Sequence, residues 1–447
     1  MKKLLLSLFI GASSLAFGQN TLLDAYVEEG LKSNFALQQQ NLEIEKSLNA
    51  IEIARSNIFP KIVFAPNYTL AAGGRRLDFP IGDLLNPVYN TLNKLTASES
   101  FPMVENQRIQ FAPNNFHETK FTFQLPLFNS DIKSNIELQK KLALSQEAKK
   151  KLLEHEIRHQ IKAAYYQYIQ STEALKIYDQ ALEFLTAYKA FNEKLVNNQM
   201  ALKDQVLSAS LEIKKMEDEQ IEALKNRSLA AAYFNFLINR PFDSPIEIDP
   251  TAGESLLTDT DMAYFHETAL ESRPEFLQIS SGLSANQSLL QLQEKNAKLP
   301  SFYLGGSTGF QGFGYHFNEQ AFAVAQVGMQ WDLFHGYEKK HKIQQTKIER
   351  LQLQSKEEEL KQQVKIQVTK AFLELQAAEN TLKKSEEMAE ISQNLLELIE
   401  KKYKNQSALN IEVLKAQNDH LVAMQKLTLG KYQVLLKKSE LIKTIGK

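Results

Sequence analysis

The sequence predicts a mostly α-helical chain with a membrane β-barrel part: long coiled-coil hairpins, four strands per chain and an internal twofold repeat. Three observations predict it. A seam of small and apolar residues, Val364, Val368, Ala371, Leu375, Ala378, Leu382, Ser385, Ala389 and Ser392, advances in steps of four and three, the spacing by which helices supercoil. The same seam runs through Ile157, Ile161, Ala164, Tyr168, Ser171, Leu175, Tyr178, Leu182 and Leu185, each 207 residues before its counterpart. Four short stretches alternate with period two instead, each about the 9–11 residues of a strand crossing an outer membrane.

The N-terminus reads as an export signal over residues 1–18. Met1-Lys2-Lys3 precedes the apolar run Leu4 to Ile10 and the small residues up to Ala16-Phe17-Gly18, a cleavage site. The apolar run is well below the ~20 residues needed to span a bilayer, and no later segment is apolar for 18 uninterrupted residues. There is no Cys, hence neither a disulfide framework nor a lipid attached through one. A formal net charge of −1 without a basic block argues against nucleic acid.

The first repeat occupies residues 19–240. Residues 21–59 read as helix, which Pro60 stops. A strand follows over 61–72, with Ile62, Phe64, Pro66, Tyr68 and Leu70 alternating with more polar positions, and a second over 118–128, with Thr119, Phe121, Phe123, Leu125 and Leu127 on one side. The connection Gly73 to Phe116 is far longer than a hairpin loop and carries Arg75, Arg76, four prolines and a short helix near Leu84 to Leu95. A long helical hairpin fills 131–240. Its tip at Asn197-Asn198-Gln199 interrupts the apolar pattern, and Asn tolerates the left-handed conformation that ends a helix. Residues 241–272 are a Pro- and Asp-bearing linker with a helix near Asp261 to Ser272. The second repeat, 273–447, has the same order: a helix to Leu299-Pro300, strands over 301–311 and 321–334, and a hairpin over 336–445.

In lipid a sheet must close, because each unpaired N–H or C=O costs several kcal/mol. Four strands cannot close alone, so the barrel is expected to be shared; a dimer supplies eight strands and a trimer twelve. Lys120, Gln124, Gln326, Gln330 and Asp332 alternate with the apolar residues and are expected to face the barrel lumen.

The repeat, the junctions Phe59-Pro60 and Leu299-Pro300, and the tip segments Val206-Leu207-Ser208-Ala209 and Val413-Leu414-Lys415-Ala416 together resemble the TolC family of outer-membrane efflux proteins. The resemblance covers essentially the whole mature chain. It implies a homotrimer with a twelve-strand barrel in the lipid of a Gram-negative outer membrane, helices forming a periplasmic tunnel, and strand-connecting loops outside. It further implies a passive duct, needing no cofactor and catalysing no reaction. Such a duct works with an inner-membrane transporter and a periplasmic adaptor to carry drugs, small molecules or proteins outward. Family tips usually carry Gly where this chain has Gln199 and Gln406. The family's aperture often has two acidic residues three apart, where this chain has Glu412 and Lys415. The tips would form the tunnel's narrow end, which makes Asp204, Tyr403, Glu412 and Lys415 the aperture candidates. Tyr403 would offer a hydroxyl to a neighbouring tip, and Lys415 would offset Glu412 through an i, i+3 contact.

Two other readings compete. A soluble periplasmic coiled-coil adaptor would account for the seams but not for four strands of lipid-type alternation. His155-Glu156-Ile157-Arg158-His159 is a literal H-E-x-x-H, the zinc-peptidase motif, with Glu173 and Glu183 as conceivable third ligands. It lies inside a coiled-coil seam, with no catalytic domain around it, and two exposed histidines on a helix are the simpler expectation.

Overall fold

In a computed structural model, residues 22–249, 261–296, 298–317, 320–334 and 336–446 are described. The signal segment 1–18 and residues 250–260 of the linker lie outside them. The order is α1 (Leu22–Ser33), α2 (Phe35–Ser56), β1 (Lys61–Thr69), β2 (Arg76–Phe79), α3 (Ile81–Thr96), β3 (Gln107–Gln110), β4 (Phe116–Phe128), α4 (Ser130–Asn197) and α5 (Lys203–Leu237). It continues with α6 (Met262–Ser272), α7 (Pro274–Asn296), β5 (Ser301–Phe313), β6 (Ala321–Gln330), α8 (Glu338–Lys404) and α9 (Asn410–Thr444). At 68 residues α4 is about 100 Å long.

The chain divides into two compact units. One comprises residues 1–48, 141–284 and 349–447; the other comprises 49–140 and 285–348.

In the first unit the seams are the core. Ile157, Ile161, Ala164 and Tyr168 of α4 are buried with Tyr26 and Val27 of α1 and Phe234 and Ile238 at the end of α5. Their counterparts Val364, Val368, Ala371 and Leu375 of α8 are buried with Phe265 and Ala269 of α6 and Leu441 and Ile445 at the end of α9. The repeat is therefore one packing solution used twice. The helix expected over 21–59 is two helices: Asn34 ends α1, accepts the Ala36 N–H at 2.9 Å as a cap for α2, and donates to the Leu237 carbonyl at 3.0 Å. Arg273 likewise separates α6 from α7, and Pro274 opens α7, where a missing N–H costs nothing.

Both tips end in the same way. Met200 N–H bonds the Leu195 carbonyl at 2.8 Å, Ser407 N–H bonds the Lys402 carbonyl at 2.8 Å, and the residues before them are left-handed. This closure ties off carbonyls the helix leaves unpaired. The left-handed residues are Gln199 (φ 62°) and Gln406 (φ 60°), not the asparagines expected to take that role.

The second unit holds a four-stranded antiparallel sheet of order β1-β4-β5-β6. Two expected strands are shorter than read: 61–72 ends at Thr69, and 321–334 ends at Gln330. The other two gain two residues each at one end, starting at Phe116 and finishing at Phe313. A two-stranded ribbon, β2 with β3, was not foreseen in the long connection. There α3 is held by its asparagines: Asn86 bonds Val104 N–H and carbonyl at 2.8 and 3.0 Å, and Asn93 bonds those of Phe101 at 3.1 and 2.8 Å. Each amide imitates a strand's main chain.

Candidate functional site

Register divides the sheet into two unlike faces. Directly opposed residues share a face. One face collects Ile62, Phe64, Phe121, Phe123, Leu304, Phe310, Ala323 and Val327. Much of it is uncovered within the chain: Phe64 is 55% exposed, Phe121 52% and Val327 72%. A register shift between Pro126 and Phe128 brings Phe128 opposite Phe302, so Phe128 takes the place expected for Leu127.

The other face is the more polar, although Val63, Phe322 and Val324 also lie on it. Lys61, Gln124, Gly305 and Gln326 form one cross-strand row, and Lys120 lies opposite Ala65 and Gly309. Gln330, opposite Ser301, belongs to the same face. Glycine makes room here: a Cβ on Gly309 would stand 2.1 Å from the Thr119 carbonyl oxygen, and one on Gly328 would stand 2.3 Å from the Tyr303 ring. Lys120 pairs with Glu118 at 2.8 Å, so the face carries both signs of charge. Asp332 is a correction. It lies beyond the end of β6, where its carbonyl accepts from Lys339 Nζ at 2.9 Å and its carboxylate lies 3.9 Å from the same ammonium. Together with Asn129, Gln293 and Lys342 it borders a cavity of about 340 Å³.

The tips, in the other unit, form a second polar centre. Tyr403 is 8% exposed and reaches the neighbouring tip of its own chain. Its hydroxyl lies 2.5 Å from Asn192 Oδ1 and 2.9 Å from the Gln205 side-chain amide. A hydroxyl has one proton, which the shorter contact takes; the Gln205 atom beside it is Oε1, and a flip of that amide would bring its NH₂ to the hydroxyl's lone pairs. Asn192 is fully buried and donates to the Tyr188 carbonyl at 2.9 Å. Tyr188 in turn donates to Asn410 Oδ1 at 2.6 Å, in the first turn of α9. The rings of Tyr188 and Tyr403 are 5.3 Å apart and border a cavity of about 150 Å³ with Phe184, Phe191 and Val413. Burial, and then the hydrogen bond with Tyr403, drive the Tyr188 hydroxyl far above the ordinary phenol value, so it stays neutral. Two helical hairpins are thus bolted together by one buried network.

Asp204, Glu412 and Lys415 are exposed. The expected Glu412–Lys415 contact is not made. Glu412 reaches back to its own helix start, accepting the Leu409 N–H at 2.7 Å. Leu409 has no side-chain acceptor to complete a capping box. Glu412 therefore caps α9 and still presents its charge to solvent. Tyr188, Asn192, Gln205 and Asn410 were not foreseen. Asn192 carried a legible signal, because it falls seven residues after Leu185, on the seam, where a polar residue interrupts an apolar stripe.

The H-E-x-x-H segment does not converge on a metal. Glu156 is ion-paired with Lys443 and accepts from Gln160 Nε2 at 2.9 Å. His159 Nδ1 is 3.1 Å from Ser439 Oγ, and Arg158 pairs with Glu28 at 3.3 Å. Among the described residues no three His, Cys, Asp or Glu groups could hold a metal ion. The two histidines are half-buried, not exposed as expected.

Residues 266–447 match the family described as outer membrane efflux protein. The fold is that of solved outer-membrane channels. The outer membrane protein VceC of Vibrio cholerae aligns at TM-score 0.71 and 15% identity, over 95% of this chain and 96% of its own. The Campylobacter jejuni outer membrane channel CmeC aligns at 0.70 and 13% identity, over 95% and 85%. MtrE of Neisseria gonorrhoeae, an outer membrane channel solved in its open state, aligns at 0.70 and 15% identity, over 95% and 88%. By sequence, no curated protein matches the chain.

Proposed function

The chain carries an outer membrane efflux protein domain in its second half and folds throughout as outer-membrane channels do, and from that premise we propose that it is the outer-membrane duct of a tripartite efflux or type I secretion system. The observation that carries this reading is the open sheet. It has one apolar, uncovered face, one more polar face, and in β1 and β6 two outer strands with no partner on one side among the described residues. Water would penalise the apolar face and lipid would penalise the edges; closure with further copies in a membrane relieves both. Three copies give twelve strands, with the Lys120, Gln124, Gln326 and Gln330 face lining a wet lumen. The helical hairpins belong to the periplasm, where a periplasmic adaptor and an inner-membrane transporter supply cargo and energy. No step needs a catalytic residue or a cofactor.

The tips close the duct. Tyr403 and Asn192 fix each tip's shape from inside, and the exposed carboxylates of Asp204 and Glu412 are left to face the aperture. Three copies of Glu412 around one axis would favour cations. Planar-bilayer recording of the purified protein tests both levels of the reading. A detergent-solubilised particle of three-chain mass, conducting and cation-selective, is expected, with Glu412→Gln reducing the selectivity. A stable one-chain particle that still inserts would overturn the shared barrel; unchanged selectivity in Glu412→Gln would move the aperture elsewhere.

A further inference from the structure

The H-E-x-x-H segment lines a cavity whose chemistry is not that of zinc. Between α4 and α9, about 270 Å³ is enclosed by His155, Arg158, His159 and Lys162 on one side and by Lys438 and Lys443 on the other. Tyr166 and Ser439 add hydroxyls; Leu435 and Ile442 supply the apolar remainder. No carboxylate borders the cavity. Every charged group around it is a cation, and each can donate hydrogen bonds.

Two of these cations are balanced from outside, Lys443 by Glu156 and Arg158 by Glu28. Lys162 and Lys438 form no ion pair among the described residues, although Glu379 acts on Lys438, and Glu440 on His159, from outside the cavity lining. Cations gathered this closely repel one another. Burial, followed by the Lys443 charge, pushes His159 below the ordinary imidazole value, and burial lowers Lys438. A wall of donors lined by cations and no carboxylate is complementary to one kind of guest.

We propose that this cavity binds a phosphate group, with Lys162 and Lys438 as its principal charge partners. The site is separate from the duct reading: it lies between two helices of one chain and needs neither the sheet nor the tips. The shared chemistry is a phosphate group, carried by free phosphate or by a lipid headgroup.

Calorimetric titration of the full chain in neutral detergent, with inorganic phosphate in one arm and phosphatidylglycerol in mixed micelles in the other, distinguishes these sources. Saturable binding of one phosphate per chain is expected, weakened about tenfold or more in Lys162→Gln with Lys438→Gln. Binding of phosphatidylglycerol alone would assign the site to lipid phosphate. The unsubstituted protein gives an independent reading, since bound phosphate should slow acetylation of Lys162 and Lys438, followed by peptide mass spectrometry, and leave the exposed Lys384 unaffected. Neither arm binding, equal affinity in the double variant, or unaltered acetylation with phosphate present would each overturn the proposal. The mass and conductance of the particle are measured on the same preparation, so failure of the duct reading registers separately.

Discussion

Tyr403→Phe removes one oxygen from the tip and leaves its ring in place. Asn192 Oδ1, fully buried, loses the donor 2.5 Å away, and Gln205 loses its partner at 2.9 Å. Gln205 is half-buried and can turn to water. Asn192 cannot. Stranding a buried acceptor costs about 1–3 kcal/mol, whereas removing both partners of a buried bond is close to neutral. The loss falls on a local unit, the contact between Tyr188 and Asn192 of α4, Tyr403 of α8 and Asn410 of α9. It should therefore appear as local opening rather than global unfolding. Amide hydrogen exchange read on peptides spanning 184–210 and 399–416 is expected to speed about 5- to 150-fold, with little change near Tyr165 and Phe234. Adding Asn192→Leu should restore much of the protection. In bilayers the single variant should raise resting conductance, since the tips it loosens are those proposed to close the duct. Exchange at the tips indistinguishable from the unsubstituted chain would refute the argument that this network sets tip rigidity.

Three further outcomes follow from other parts of the structure. Leu375→Asp places a charge among Phe265, Phe372 and Leu441, a loss of more than about 3 kcal/mol, and should abolish recovery of assembled protein from membranes; normal yield would show the seam to face water. Gln199→Gly with Gln406→Gly relieves two left-handed residues at φ 62° and 60°, and each should raise tip stability by roughly 0.5–1 kcal/mol, seen as slower exchange in those peptides; faster exchange would contradict it. Burial holds His420 below the ordinary imidazole value of 6.5, so the folded chain prefers it neutral. Its stabilising contribution is present above pH 6.5 and is lost as pH falls from there through the folded value; His420→Gln should flatten thermal stability between pH 7 and pH 5, and an unaltered slope would exclude His420 as its source.

Periodicity carried the long elements. Ile157 and Ile161 and their counterparts Val364 and Val368 were readable because a helix has one buried stripe, and a stripe repeats. The strands were readable through alternation, up to where main-chain geometry takes over. Pro126, which cannot donate to the ladder, is the one mark of the register shift at Pro126 to Phe128, and nothing in the alternation marks the end of β6 at Gln330, which leaves Asp332 beyond the ladder. The left-handed tip residues were misassigned because intrinsic preference favours Asn over Gln, while position in the closing turn decides. Tyr403 was placed on the seam correctly, and its hydroxyl does meet a neighbouring tip, that of its own chain. A phenol at the end of a stripe can point toward its own hairpins or a neighbour's, and only the partner amides of Asn192 and Gln205 settle which. The cavity beside His155 was invisible for a similar reason. Its cations come from segments almost 300 residues apart, and neither segment is conspicuously basic.

On the proposed reading, the two outer strands, each unpaired on one side among the described residues, tie the amount of channel to the rate at which the cell supplies chains. If three copies close the barrel, as proposed, a lone chain has no finished fold to wait in. At low supply the quantity of closed barrel rises with the cube of free chain, so halving export across the inner membrane leaves roughly one-eighth of the channels. Small defects in synthesis or secretion would then register as disproportionate losses of efflux, without any change in a finished duct. Until β1 finds the β6 of another copy, each chain presents an adhesive edge to every other exported protein. The interval before closure is the most exposed moment in the life of this protein, and one in which a periplasmic holdase would matter most.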